Sequence, residues 1–338
     1  MIQNWQDFLA STNTPFISGQ SFPCPLVKEH YHNKIYAVAD LAVLTVSGKD
    51  AEQFLQGQMT CSIQDVSETQ SSFGAFCTAK GRVISTFLMG KRKEIFLLVV
   101  PAELLPVVKK KLQFYVLRSD VQLIDSSDSF CLFGYCRTDT VSGKTPVPER
   151  PLAASPVDDG TVISLPTFTA APRCLGILPA NSAIGIWQDC TAQGLQTGIP
   201  DEWRTLDILS GIPWLNLMTT EQFIPQMLNL DQLGGISLNK GCYTGQEIVA
   251  RTHYLGKAKR KMYLAECRAT EPPEAGSAIN AAEDASDKSV GSILSLQTTT
   301  TGFVMLVILQ TDYALSEQLV LANQNRDRIT VMELVYSI

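Results

Sequence analysis

The sequence changes character near residue 257, and that change constrains the fold more than any other feature. Beyond it, five short runs at 262–266, 290–295, 302–310, 318–321 and 330–335 are rich in branched residues and separated by turn formers. Helical spacing is almost absent from this tail. Several short strands joined by turns close into a small antiparallel barrel. The preceding residues mix helix and strand patterns without a fixed repeat. The expected class is therefore α+β, with a body over 1–256 and a C-terminal β-barrel domain over 257–338.

Within the body, Asp50 starts a short helix that Gly57 can end, because acidic residues suit a helix N-terminus and glycine its C-terminus. Strands are expected at 73–77 and 83–89, joined by Ala79-Lys80-Gly81-Arg82, and at 95–100. Leu104, Leu105, Val108 and Leu112 predict a helix over 102–114. Its Lys109-Lys110-Lys111 run reads as a solvated helix end. Strand character resumes at 121–124 and 129–135. Pro146, Pro148, Pro151 and Pro156 mark 138–160 as an internal linker. Strands at 162–165 and 174–178 and a helix at 180–193 follow. Trp203, Leu206 and Leu209 share one face of a helix over 200–210, stopped by Gly211 and Pro213.

Charge and cysteine usage exclude several functions. Lys and Arg number 27 and Asp and Glu 33, giving a formal net charge of −6. That excludes a globally basic nucleic-acid coat. A local contrast remains: Lys240, Arg251, Lys257, Lys259, Arg260 and Lys261 stand against Glu247. An ordinary solvated connector is the favoured reading of that stretch, with an RNA- or anion-binding face as the other. No apolar run approaches the ~20 residues of a membrane helix. No Lys or Arg precedes Lys28, so no signal peptide is read and a cytoplasmic protein without a membrane partner is expected. The nine cysteines form no CxxC, and the histidines are only His30, His32 and His253. No metal site is expected.

Lys240-Gly241-Cys242-Tyr243-Thr244-Gly245-Gln246-Glu247 carries the chemistry. Thr244 and Glu247 have the spacing of a capping box, and Tyr243 and Ile248 that of a hydrophobic staple. A helix is expected to start there, with Cys242 two residues before the cap. A thiol beside Lys240 and a helix N-terminus would favour the thiolate. The plainer alternative is a helix start that contains a buried cysteine.

This octapeptide, with Arg251 following, resembles the signature of the YgfZ family. These are folate-binding, tRNA-modification-linked proteins similar to the T-protein (aminomethyltransferase) of the glycine cleavage system. The likeness extends to Gly48-Lys49-Asp50, Phe54-Leu55-Gln56-Gly57-Gln58, Ala79-Lys80-Gly81, Phe223-Ile224-Pro225-Gln226, Gly234-Gly235-Ile236-Ser237 and Tyr336-Ser337. The resemblance implies two interleaved ferredoxin-like subdomains, the C-terminal barrel, and a non-covalently bound tetrahydrofolate or derivative. It implies iron–sulfur client proteins, including enzymes that modify tRNA, as partners.

The same resemblance assigns residues. Cys242 is the candidate reactive centre, with Lys240 raising its local potential. Trp203 is the candidate pterin face, with Leu41 where relatives carry another folate-contacting tryptophan. Gly241, Tyr243, Gln246, Glu247 and Arg251 are candidate cofactor contacts, Arg251 for the carboxylate tail, while Thr244 and Glu247 hold the loop geometry. Leu209 stands where relatives carry Glu, and Ser62 where they often carry Asp. An aminomethyltransferase would need an acid in the second hairpin strand, where this chain has Ser85 and Thr86. That enzyme, and a non-catalytic tRNA-binding protein, are the alternative functions.

Overall fold

The structure, a computed structural model, describes residues 2–16, 22–138, 145–169, 171–256, 258–269, 271–282, 289–314, 318–334 and 336. Parts of the expected linker, together with Lys257 and Ser337, lie outside the described residues. The body holds strands β1 (Lys34–Ala37), β2 (Leu41–Ser47), β3 (Ser72–Cys77), β4 (Val83–Arg92), β5 (Ile95–Pro101), β6 (Gln122–Asp125), β7 (Cys131–Cys136), β8 (Ala154–Val157), β9 (Gly160–Leu165), β10 (Arg173–Leu178) and β11 (Gln196–Thr197). The tail holds β12 (Arg260–Cys267), β13 (Ala278–Ala281), β14 (Ser289–Thr299), β15 (Gly302–Gln310), β16 (Leu319–Leu321) and β17 (Arg328–Met332). The α-helices are α1 (Gln3–Ser11), α2 (Ala51–Gln56), α3 (Leu105–Val116), α4 (Ala180–Ala192), α5 (Pro200–Leu209) and α6 (Gln246–Leu255). Among the described residues no helix is long and apolar enough to cross a membrane.

Two sheets and a barrel result. The first sheet runs β3-β4-β5-β2-β6, the second β11-β1-β7-β10-β9-β8, and the tail closes as β12-β15-β14-β13-β16-β17. The chain begins the second sheet with β1, builds the first, and then returns, so the two sheets are interleaved. Gly90 of β4 lies against Ile163 and Thr161 of β9, where the sheets meet. In β15, Val304, Leu306 and Ile308 join the core shared with the body, while Phe303, Met305, Val307 and Leu309 fill the barrel. A strand buried on both faces reads as a continuous apolar run, as this one does.

The α+β class and the strand-only tail agree with the sequence reading. Several elements differ from it. Helix α1 was not signalled: its N-cap Ile2 makes no side-chain cap bond, and it is held by tertiary packing. Trp5 and Leu9 are buried, and the Trp5 ring meets Trp187 of α4 edge-on at 5.4 Å. Strand β8 lies inside the expected linker because Ala154–Val157 pairs with β9 despite Pro156. Strands β1 and β2 likewise escaped the pattern reading.

Helix α5 is placed by Trp203, which is 1% exposed. A Cβ at Gly134 of β7 would stand 2.2 Å from its indole. Gly134→Ala is expected to destabilise the protein by about 1–3 kcal/mol through overpacking. Urea unfolding would measure this; an unchanged midpoint would show that the indole does not lie on β7.

Candidate functional site

The signature loop is fastened to the body by backbone approaches that only glycine allows and by polar side chains. Gly245 adopts φ +86°, and a Cβ there would stand 2.5 Å from the Thr78 carbonyl and 3.0 Å from Gly81 Cα. Gly81, at φ +68°, has the same relation to Ile248, whose Cβ would be 2.8 Å away. The β3–β4 turn and the start of α6 therefore meet glycine to glycine. Thr244 donates its N–H to the Gly57 carbonyl at 3.2 Å and its hydroxyl to Gln58 Oε1 at 3.0 Å. Thr60 holds the Gly234–Ser237 segment: its hydroxyl donates to Gly235 O at 2.6 Å, and its carbonyl accepts from Ser237 N at 2.8 Å. Gln226 Nε2 donates to Val249 O at 2.7 Å, which anchors α6 from the other side. Gln58, Thr60 and Gln226 are functional supports that sequence reasoning did not assign, although Gln58 and Gln226 stand in motifs it singled out.

These contacts replace the expected local ones. Helix α6 starts at Gln246 with Gly245 as N-cap and has no side-chain cap bond. The Thr244–Glu247 capping box is absent because Thr244 is committed to Gln58 and Gly57. Glu247 is exposed, as is Ile248, while Tyr243 is buried, so the staple is absent too. Lys240, expected beside Cys242, is engaged with the 59–61 backbone. Its ammonium donates to Met59 O at 2.8 Å and Cys61 O at 2.6 Å, and it sits 5.2 Å from the Tyr243 ring centroid. Burial lowers its pKa from 10.5 to about 8. Lys240 is thus a rivet between the loop and the 59–61 segment. Gly241 and Arg251 are exposed, and Gln246 is half-buried.

Eight of the nine cysteines are buried, and Cys242 is exposed. Burial raises the thiols of Cys24, Cys61 and Cys267 to about 11 and those of Cys77, Cys131, Cys136 and Cys174 to about 12; Cys190 is raised as well. Protonated, buried thiols are poor nucleophiles and poor metal ligands. The fold leaves Cys242 as the accessible thiol, on a loop held on both sides. Among the described residues no group of three or more His, Cys, Asp or Glu side chains could hold a metal ion.

The expected pterin face is not open. The Arg173 guanidinium lies 3.9 Å from the Trp203 ring centroid, Tyr36 packs beside it at 5.6 Å, and Gly134 lies beneath. Trp203 is a core residue here. A cleft beside Asp40, Arg204, Asp207 and Trp214, where α5 meets the barrel, has a volume of about 90 Å³. A ligand pocket typically spans ~300–1,000 Å³, so these residues as arranged do not fit a whole folate. Leu41, at 7% exposure, lines a different cavity, on the α3 side of β2. In the second hairpin strand, Ser85 Oγ donates to Thr86 O at 2.8 Å and Thr86 Oγ1 to Pro213 O at 2.6 Å. Both hydroxyls are buried and engaged with backbone.

Interleaved sheets capped by a barrel, with a hairpin turn clamped to a glycine-rich loop, define an aminomethyltransferase-type fold. The glycine cleavage system aminomethyltransferase T from Bartonella henselae matches it with a TM-score of 0.76, covering 98% of this chain and 96% of that one at 14% identity. The tRNA-modifying protein YgfZ of Klebsiella pneumoniae (strain 342) is 34% identical over 239 residues, 70% of this chain and 72% of that protein. The tRNA-modifying protein YgfZ of Sodalis glossinidius (strain morsitans) is 30% identical over 323 residues, 93% of this chain and 96% of that protein. The chain belongs to the YgfZ family. No protein-family model matches it.

The rivet has a pH signature. Below pH 8 Lys240 is charged in both folded and unfolded chains. Between about 8 and 10.5 the unfolded chain keeps the proton and the folded one has lost it. This group's contribution to stability therefore rises with pH in that window. Lys240→Met removes the rise. The difference in unfolding free energy between wild type and variant should widen in favour of wild type across the window, measured by denaturant titration at each pH. Parallel curves would show that Lys240 titrates as a surface lysine.

Proposed function

We propose that this chain is a folate-binding factor that supports iron–sulfur cluster assembly or repair in client enzymes and so affects tRNA modification. The observation that carries this reading is the isolation of one accessible thiol, Cys242, on a loop fixed by Lys240, Thr244, Gly245 and Gln226. Thiolates are the ligands through which proteins hold iron–sulfur clusters. A single exposed thiol on a fixed loop suits contact with a client's cluster or with a partner's sulfur, and does not suit a resident cluster, which takes several ligands. The curated relatives are named tRNA-modifying proteins, in keeping with clients in that process. The folate part of the reading comes from the family resemblance and does not use Trp203. Aminomethyl transfer is disfavoured because Ser85 and Thr86, where the acid would stand, bind backbone carbonyls and hydroxyls cannot carry a proton near neutral pH as a carboxylate does.

The test combines chemistry and complementation. In the native protein, iodoacetamide at neutral pH should label Cys242 alone, and the other eight thiols should react only after unfolding. Cys242→Ser should keep the wild-type unfolding midpoint, because the thiol supports no packing. It should fail to restore iron–sulfur tRNA-modifying activity in a host that lacks its own homologue. Full restoration by the Ser variant would overturn the role of the thiol.

A further inference from the structure

The basic stretch at 251–261 plays no part in the proposed function. The sequence favours a solvated connector there, yet only its middle joins elements: Arg251 belongs to α6, and Arg260 and Lys261 open β12. Arg251, Lys259, Arg260 and Lys261 make no ion pair among the described residues. On a chain of net charge −6, four cations without such a partner draw anions to one place.

Two polar cavities lie beside them. The first, about 600 Å³, is walled by the end of α6, the 226–232 segment and the start of β12, with Gln226, Asp231, Lys261 and Glu333 in its lining. The second, about 500 Å³, passes Asp65, the 234–239 segment and Tyr254. His253 lines both, so the two adjoin there. Gln226 is 5% exposed; its Nε2 is spent on Val249 O, and its Oε1 has no hydrogen-bond partner. A buried acceptor left without a donor costs free energy that a donor from a ligand would recover. The Asp231 and Glu333 carboxylates are further acceptors, with no ion pair among the described residues. Tyr254 is 68% exposed, and the His253 ring meets it edge-on at 5.1 Å.

We propose that this groove binds a single-stranded segment of RNA, with a guanine-type base edge in the first cavity, a base stacked on Tyr254 and phosphates on the basic residues. The order of the polar groups selects this ligand. Carboxylate and amide oxygens line the first cavity, where the N–H groups of a guanine edge find acceptors. Arg251 and Lys259 are exposed outside the linings of both cavities, where backbone phosphates would run. An exposed aromatic ring among cations suits a single strand, because every base offers a face to stack. A duplex keeps those edges and faces occupied, and proteins read RNA bases mainly in unpaired segments. The choice of RNA over DNA rests on the proposed role in tRNA modification. Direct contact with RNA goes beyond that role, which acts through client enzymes.

Fluorescence anisotropy on the full chain tests this with labelled strands of about 12 nucleotides, within the range such grooves cover. The probes are an all-uridine RNA, the same RNA with two central guanosines, the DNA counterpart of the latter, and guanosine monophosphate as competitor. The guanosine-bearing RNA should bind wild type most tightly. Tyr254→Ala, at an exposed position, should weaken both RNAs about tenfold. Arg251→Gln/Lys259→Gln should lower the slope of log affinity against log salt by about 1.4, at ~0.7 per lost phosphate contact. Asp231→Ala/Glu333→Ala should erase the preference for guanosine. Lys109→Gln/Lys110→Gln, on α3 and outside both cavities, should change none of these. No RNA binding by wild type overturns the proposal, as does an α3 variant that lowers the slope as much as the groove variant. Equal affinity for DNA overturns the choice of RNA, and the monophosphate binding as tightly as the strand overturns the choice of a strand. The client role is read separately: if wild type binds no RNA while Cys242→Ser still fails to complement, the groove proposal alone falls.

Discussion

One buried cation organises the second half of the body. Arg173 of β10 has no solvent exposure, is ion-paired with Asp207 of α5, and stacks on Trp203 one helical turn earlier. The second Asp207 oxygen accepts from the Trp214 indole at 2.9 Å. Burial raises the Asp207 carboxyl, and the guanidinium opposes that rise. Removing one member of such a pair strands a charge in the core and typically costs about 3–5 kcal/mol. The grip fixes α5 against the second sheet, and α5 also packs on β14 and β15 of the barrel. Leu206 and Leu209 thereby reach the shared core, and the barrel is positioned by a helix that is itself positioned by one arginine.

Much of the fold was legible because burial writes periodicity into sequence. Helix α3 and strand β15 each show the spacing of the faces they bury, whereas α5 is buried all round, its acidic residues included. Helix α1 was not legible because two buried side chains on a short, uncapped helix leave little pattern. Strand β8 was masked by the prolines around it, and only pairing with β9 reveals it. For the site, the octapeptide was visible as a unit, but its internal logic was misread. Thr244-x-x-Glu247 has the spacing of a cap, yet a residue's hydrogen bonds go to whichever partner the tertiary structure brings near, and here that partner is Gln58. Trp203, which the resemblance assigns to a ligand, is packed between Arg173 and β7, a neighbourhood that no local pattern announces.

The thiols illustrate how a fold assigns reactivity. Among nine cysteines the sequence singles out Cys242 by an expected helix start, and the fold sets it apart for another reason. Burial silences eight by holding their protons. The ninth is set apart by its surroundings. Gly241 beside it has no atom within 4 Å of where a Cβ would be. Two residues away, Tyr243 is buried at 7% exposure, so the loop turns from solvent to core over a few residues.

The interleaving of the sheets sets an order on how the chain can be made. Strand β1 pairs with β7 and, on its other side, in parallel with β11. It leaves the ribosome about a hundred residues before the first of these partners. Until then its backbone groups have no ladder to join, although the first sheet can assemble from β2 to β6 meanwhile. The segment ahead of β1 waits longer still: Cys24 exchanges backbone hydrogen bonds with Thr298 and Thr300 at the β14–β15 turn, so this segment is sealed only when the barrel forms. Contacts of such long sequence separation fold slowly and leave open edges exposed during synthesis. The second sheet, split in sequence by the first, cannot be cut out as one continuous piece, and the nascent chain is most exposed to aggregation and proteolysis until the barrel closes.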